Sequence, residues 1–252
     1  MRTLFQPCTL LVAALLVDGR AAPASSAAPA SVRAEALALE RRLAADPHDE
    51  RAVRELHVLL ARPNDLPREE SQRLREVLRA HPERSSATLV PPDEPGDRLV
   101  ISGTIRDPAG QPVAGAIVAV FHTDAQGFYS PRDAETKRMD EPNSRLFAFI
   151  ETGEDGRYEF RTVRPGGYPF PLPSRTGDRA LVPQHIHLVV SAAGHETFGC
   201  GHQTCQLVFA DDPRMTPHWQ GWAREMAAPI LALERDAAGV SRATYDVTLR
   251  PR

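Results

Sequence analysis

Apolar residues recur along this chain at two different periods, and the change from one to the other falls close to residue 98. In the stretch 31–84, Val32, Ala36, Leu39 and Leu43 follow spacings of four and three, and Val53, Leu56, Leu59 and Leu60 do much the same. That rhythm predicts amphipathic helices. Asp46-Pro47-His48-Asp49 reads as a helix start, with Asp46 as the cap and Pro47 at the first helical position, where no amide donor is needed. A third helix is expected after Pro67, turning Leu74, Val77 and Leu78 inward. The apolar stripe of these helices must be covered, by the following domain, by a second copy in a homodimer or within a small helical-repeat-like pair, the first two being favoured. Residues 85–97, with Pro91-Pro92-Asp93-Glu94-Pro95-Gly96, read as a linker or ordered crossover.

From Leu99 onward the texture becomes short β-branched runs separated by Gly, Pro and Asp. Leu99 to Ile105, Ala116 to Phe121, Leu146 to Ile150, Tyr158 to Thr162, His185 to Ser191, Gln206 to Phe209 and Thr244 to Leu249 all read as strands. Asp107-Pro108-Ala109-Gly110, Asp155-Gly156 and Pro165-Gly166-Gly167 supply reversals between them. No helical runs alternate with these strands, so a parallel doubly wound sheet is disfavoured. The expected fold is mainly β: an antiparallel, immunoglobulin-like β-sandwich over 98–252 behind a small helical region over 31–84.

Composition narrows the partners. A formal net charge of −3 offers no broad attraction to nucleic acid or to anionic membranes, which leaves small molecules. Residues 1–30 carry Arg2, an apolar stretch from Thr9 to Val17 and the small-residue runs Ala22-Pro23-Ala24 and Ala28-Pro29-Ala30, which predict an export signal and leader. The apolar stretch is too short to span a bilayer, so no stable membrane insertion is expected after its removal and the protein is expected in the periplasm or outside the cell. Cys200 and Cys205 then remain as an even pair in an oxidising compartment, where either a disulfide or two thiols fits the spacing.

Three segments carry chemistry: Asp124-Ala125-Gln126-Gly127-Phe128-Tyr129, Asp155 through Tyr168-Pro169, and Pro183-Gln184-His185-Ile186-His187. In the last, the imidazoles stand at i and i+2 of an extended strand, on one side, with Ile186 facing the other way. Both can point at one metal. Phenols, with an unperturbed pKa near 10, bind only where a strongly acidic cation displaces the proton, and hard oxygen with imidazole suits Fe(III). Each residue also has an ordinary alternative: Tyr129 and Tyr168 as half-buried tyrosines at turns, and the histidine pair as an edge-strand surface pair or as zinc ligands with His195 or His202.

In order and spacing these segments, preceded by Ile101-Ser102-Gly103-Thr104-Ile105, Gly110, Val113, Val118 and Val120, resemble those of the intradiol ring-cleavage dioxygenases, from about Leu99 to Asp212. The first half of the pattern is shared with other immunoglobulin-like modules and speaks for the fold alone. The resemblance implies a mononuclear non-haem Fe(III) centre held by Tyr129, Tyr168, His185 and His187, with Tyr168 and His185 axial and Tyr129 and His187 equatorial. It implies a small aromatic diol and O2 as substrates, Tyr168 yielding its place to the diol, and a muconate-type product. Two positions depart from the family: Ala119 stands where an acidic residue is usual, and Val182 where an arginine lies over the substrate ring. Arg179, or else Arg175, is the candidate substitute, with a solvated loop charge as the equal alternative for either. Trp219, Trp222 and His218 either wall the pocket or close the core. The competing readings are a non-catalytic immunoglobulin-like binding module and a metal-binding relative with altered turnover.

Overall fold

The computed structural model describes residues 31–131, 133, 143–169, 181–199 and 205–252. The leader, Cys8, Arg175, Arg179, Cys200 and His202 lie outside the described residues. Each expected strand is present, and the strands build two facing sheets. One has the order β1-β5-β4-β9-β10-β11, with β1 at Glu83–Arg84, β4 at Ile117–His122, β5 at Leu146–Glu151, β9 at His185–Ser191, β10 at Cys205–Phe209 and β11 at Ile230–Leu231. The other has the order β12-β13-β3-β6-β2, with β2 at Ser86–Thr88, β3 at Arg98–Arg106, β6 at Arg157–Val163, β12 at Glu234–Arg235 and β13 at Ser241–Thr244; β14, at Val247–Thr248, also pairs with β3. A hairpin of β7 (Tyr168–Pro169) and β8 (Leu181–Val182) stands apart.

Alternation explains the sandwich. Leu99, Ile101 and Ile105 of β3, Val118 and Val120 of β4, Phe160 of β6, and Ile186, Leu188 and Val190 of β9 are all buried in one cluster between the sheets. The central pairings are antiparallel, as alternating patterns with short turns demand. The edge pairings β1·β5, β2·β6 and β10·β11, and the interior pairing β13·β3, are parallel, a feature the strand pattern does not show. The expected last strand is split at Tyr245 and Asp246. A Cβ on Gly103 would stand 1.9 Å from the Tyr245 carbonyl oxygen, so only glycine allows this approach, and the Tyr158 hydroxyl donates to that same oxygen at 2.6 Å. The Asp246 carboxylate accepts from the Thr104 amide, completing the detour.

The segment at 85–97 is an ordered crossover. Ser85, with φ of +57°, lets the chain leave β1 in one sheet and enter β2 in the other. Its amide donates to the Glu151 carbonyl, and its own carbonyl accepts from the Glu159 amide. Leu89 and Val90 follow into the core.

The helices are α1 (Val32–Ala45), α2 (Glu50–Ala61) and α3 (Arg68–Ala80). The cap of α2 is Asp49, not Asp46: the Asp49 carboxylate accepts from the Ala52 amide at 2.9 Å and pairs with Arg42, while Asp46 ends α1 and its carboxylate accepts from the His48 amide. The residue three before a free amide wins the cap because its side chain reaches that donor directly. The apolar stripe, including Leu39, Leu56, Leu60 and Leu74, packs with Phe147, Phe121 and Phe149. These three aromatics occupy the outer face of β4 and β5, opposite in parity to the core residues. The helices therefore cover one half of that outer face, with the Arg75 guanidinium stacked 3.8 Å above the Phe147 ring. The other half carries the site. Ser31–Arg252 forms one compact unit, and among the described residues no helix is long and apolar enough to cross a membrane.

Candidate metal centre

His185 and His187 open β9 and point away from the core that holds Ile186. Both are buried, at 3% and 2% exposure. The Nδ1–H of His185 donates to the Pro183 carbonyl at 2.8 Å, which fixes the tautomer and leaves the Nε2 lone pair facing inward. His187 pairs across the sheet with Phe121, whose ring stacks on the imidazole at 4.4 Å and 4°. Burial lowers the pKa of both histidines, and for His187, held well below 6.5, the nearby His185 and His122 add to the effect. Both rings are therefore neutral at pH 7, the form in which imidazole binds a metal.

The phenols arrive from two turns that interlock through glycines. Gly127, at φ +91°, would carry a Cβ 2.7 Å from the Gly167 carbonyl oxygen, and a Cβ on Gly166 would stand 2.3 Å from the Gly127 nitrogen. Backbone therefore lies directly on backbone, two residues before each tyrosine. Tyr129 is fully buried and Tyr168 is 7% exposed.

The four side chains meet at one point. Tyr129 Oη stands 2.9 Å from His187 Nε2, 3.2 Å from His185 Nε2 and 3.4 Å from Tyr168 Oη, and the two Nε2 atoms are 3.2 Å apart. Two phenol oxygens and two imidazole nitrogens converging from three segments make a hard, mixed O/N donor set, and this fits a ferric ion. His195 belongs to a turn beyond the opposite end of β9, where it hydrogen-bonds the Ala193 carbonyl and bridges to Pro251. It does not join the cluster.

Around the donors the wall is apolar. Val182 lies directly across β7–β8 from Tyr168 and packs with it and with Tyr129, Phe121 and Trp219. Of the two roles open to the tryptophans, Trp219 fills both and Trp222 the second. Trp219, on α4 (Pro217–Glu225), packs against both the site and a satellite core of Val208, Met215, Ala223 and Ala228, whereas Trp222 packs against the satellite core. His218 is exposed. Strand β4 runs unbroken through Ala119. Gln206 was not singled out from sequence, although it sits opposite His187 in the β9–β10 register and so shares its face; only the pairing reveals this.

Behind the centre, His122 is fully buried, donating from Nδ1 to the Thr123 carbonyl and accepting at Nε2 from the Thr162 hydroxyl, both at 2.6 Å. Burial lowers its pKa to about 4. Its folded pKa lies below the unfolded value near 6.5, so the unfolded chain binds the extra proton first and stability falls as pH drops from about 6.5 to about 4. At about 1.4 kcal/mol per unit the loss is roughly 3 kcal/mol. His122→Gln is expected to flatten this acid limb in urea melts taken across pH; an unchanged slope would refute the assignment.

The family model described as Dioxygenase matches residues 76–251, more than half of the chain. The catechol 1,2-dioxygenase 1 of Acinetobacter lwoffii is 34% identical over 163 residues, 61% of this chain and 50% of that protein. The hydroxyquinol 1,2-dioxygenase of a Rhizobium species is 38% identical over 112 residues, 42% of this chain and 37% of that protein. Among solved structures, the 3-chlorocatechol 1,2-dioxygenase of Rhodococcus opacus superposes with a TM-score of 0.53 at 27% identity, covering 68% of this chain and 67% of that one. The chain thus belongs to the intradiol dioxygenase family. It spans about half the length of the first of these curated relatives.

Proposed function

We propose that this protein cleaves a catechol-type ring between its two hydroxylated carbons, with O2 as co-substrate, at a mononuclear non-haem Fe(III) centre held by Tyr129, Tyr168, His185 and His187. The observation that carries the reading is the convergence of four donor atoms with no neighbouring pair in the chain of contacts more than 3.4 Å apart. The catechol, chlorocatechol and hydroxyquinol dioxygenases to which the chain is similar support the substrate class. Ferric iron would supply Lewis acidity, drawing electron density from the bound diol and making its ring reactive toward O2.

The chain's own residues divide the remaining work. The Pro183 carbonyl holds His185 in the tautomer that presents Nε2, and Phe121 keeps the His187 ring in plane. Tyr168, on the short hairpin, would accept a proton from an incoming diol hydroxyl. Val182, Phe121 and Trp219 exclude water from the donors, which strengthens every charge interaction there. We also propose that the protein is exported, as the leader composition suggests; Cys205 is disulfide-bonded, the state an oxidising compartment supports.

Aerobically purified protein is expected to contain about one iron per chain and to be red-brown from phenolate-to-iron charge transfer. It should consume O2 with at least one of catechol, protocatechuate and hydroxyquinol, with muconate-type absorbance appearing. Colourless protein that takes up no ferric iron would sink the metal reading. A second reading, a centre that binds iron and diol with little turnover, is favoured by the apolar Val182 facing Tyr168. A diol-induced change in the charge-transfer band without O2 uptake would select it.

A further inference from the structure

Asp124 adds no atom to the donor cluster, yet both tyrosine-bearing segments are fastened to it. Its Oδ1 accepts from the amides of Gln126 at 2.9 Å and Phe128 at 3.0 Å, which closes the turn immediately before Tyr129. Its Oδ2 accepts from Arg145 Nη2 at 3.1 Å, and the Arg145 amide in turn donates to the Tyr129 carbonyl at 2.8 Å. One carboxylate thereby controls the backbone on both sides of the first phenol, directly upstream and through Arg145 downstream. The second phenol hangs from the same residue by its main chain. The Asp124 carbonyl accepts from the Gly166 amide at 2.7 Å, while the adjoining Thr123 hydroxyl donates to the Gly166 carbonyl at 2.8 Å, so both peptide groups of Gly166 are gripped two residues before Tyr168.

An ordinary side-chain turn would need only Oδ1. Here the second oxygen is spent on a guanidinium that is 9% exposed and also bound to Glu94 and to the Ala61 carbonyl at the end of α2. The turn is therefore anchored to the helical region rather than left to float. Because a phenol oxygen stands at the far end of a long rigid side chain, a small backbone rotation at Phe128 or Gly166 is magnified at Oη. The separation of the two Oη atoms, 3.4 Å, depends on how these two turns are set against each other.

We propose that Asp124 is a positioning residue of the metal centre, setting the two phenols of Tyr129 and Tyr168 relative to one another; this rests on the reading that these tyrosines hold iron. Asn at this position keeps an oxygen for the Gln126 and Phe128 amides but loses the charge opposite Arg145, whereas Ala loses both.

The test uses the full chain carrying 13Cζ-labelled tyrosine, of which there are four. In the metal-free protein, Asp124→Ala is expected to move the Tyr129 and Tyr168 ring resonances together, assigned by Tyr→Phe variants, and to leave Tyr158 and Tyr245 in place. In the iron-loaded protein it is expected to displace the charge-transfer band and weaken iron affinity on the order of tenfold to a hundredfold, the usual cost of losing an outer support. Asp124→Asn is expected to do the same to a smaller extent and carries the decision if the alanine variant does not fold. Movement of the Tyr129 resonance alone, or iron affinity and band within twofold of the parent, overturns the proposal. A parent protein that binds no iron sinks the metal reading instead, and the paired ring resonances then still decide whether Asp124 sets the phenols.

Discussion

His187→Ala is expected to give a folded, colourless protein with no intradiol activity. His187 Nε2 lies 2.9 Å from Tyr129 Oη and 3.2 Å from His185 Nε2, so the imidazole closes the donor set on the Phe121 side. On the proposed centre, removing it takes away one of four ligands. A Lewis-acid centre contributes several kcal/mol of charge stabilisation, and at about 1.4 kcal/mol per decade that predicts a fall in kcat/KM on the order of a thousandfold or more. The fold should survive, because the core between the sheets is built from the opposite parity of β9, Ile186, Leu188 and Val190. His195→Ala, in the distant turn, serves as the control and should leave colour and rate unchanged. Iron content and charge-transfer absorbance measured on both variants decide the matter. A His187→Ala protein that keeps stoichiometric iron and its band would show that the imidazole is not a ligand.

The shared side of the two imidazoles is set by the sequence alone. His185-Ile186-His187 in an extended run places two imidazoles on one side whatever the rest of the fold does, and β9 runs from His185 to Ser191 as its β-branched run implies. The sandwich was legible for a similar reason, since each central strand alternates and each gap holds turn residues. The two-residue edge strands were not legible. Glu83–Arg84 and Ile230–Leu231 have no alternation to detect, and they are strands only because a neighbour offers a free edge. The crossover at Ser85 was hidden because a serine at positive φ announces nothing in the sequence.

For the site, Tyr129 and Tyr168 were readable only through their surroundings, as no local period aims a tyrosine at a distant strand. What aims them is backbone contact between Gly127 and Gly166-Gly167, a tertiary relation that glycines permit without specifying. Asp124 was visible as part of the turn preceding Tyr129, but its hold on Gly166 spans 42 positions of chain and appears only in the folded molecule. The placement of the helices followed the same rule. Their apolar stripe required a cover, and Phe147 and Phe149, which supply it, looked from sequence like any alternate positions of a strand. Arg179 and Arg175, each read as either a pocket arginine or a solvated loop charge, fall outside the described residues, and Val182 occupies the facing position on β8.

Arg145→Met should be the most destabilising of the single changes considered. The guanidinium makes a two-point contact with Glu94, at 2.7 and 2.5 Å, a third bond to Asp124 and a fourth to the Ala61 carbonyl, and both Arg145 and Glu94 are below 10% exposure. Removing the cation leaves a buried carboxylate without its partner and a helix-end carbonyl unsatisfied. Breaking a buried pair from one side typically costs about 3–5 kcal/mol, equivalent to a drop in Tm of roughly 10 °C or more for a chain of this size. Exposed Arg84→Met should cost less than about 0.5 kcal/mol. Because most of the penalty is the stranded charge and not the lost attraction, the double change Glu94→Gln with Arg145→Met should be clearly more stable than Arg145→Met alone. Urea unfolding of the three variants measures this directly. If Arg145→Met lies within about 1 kcal/mol of the parent, or if the second change brings no recovery, then the buried ion group is not what ties the helices and the phenol-bearing turn to the sandwich.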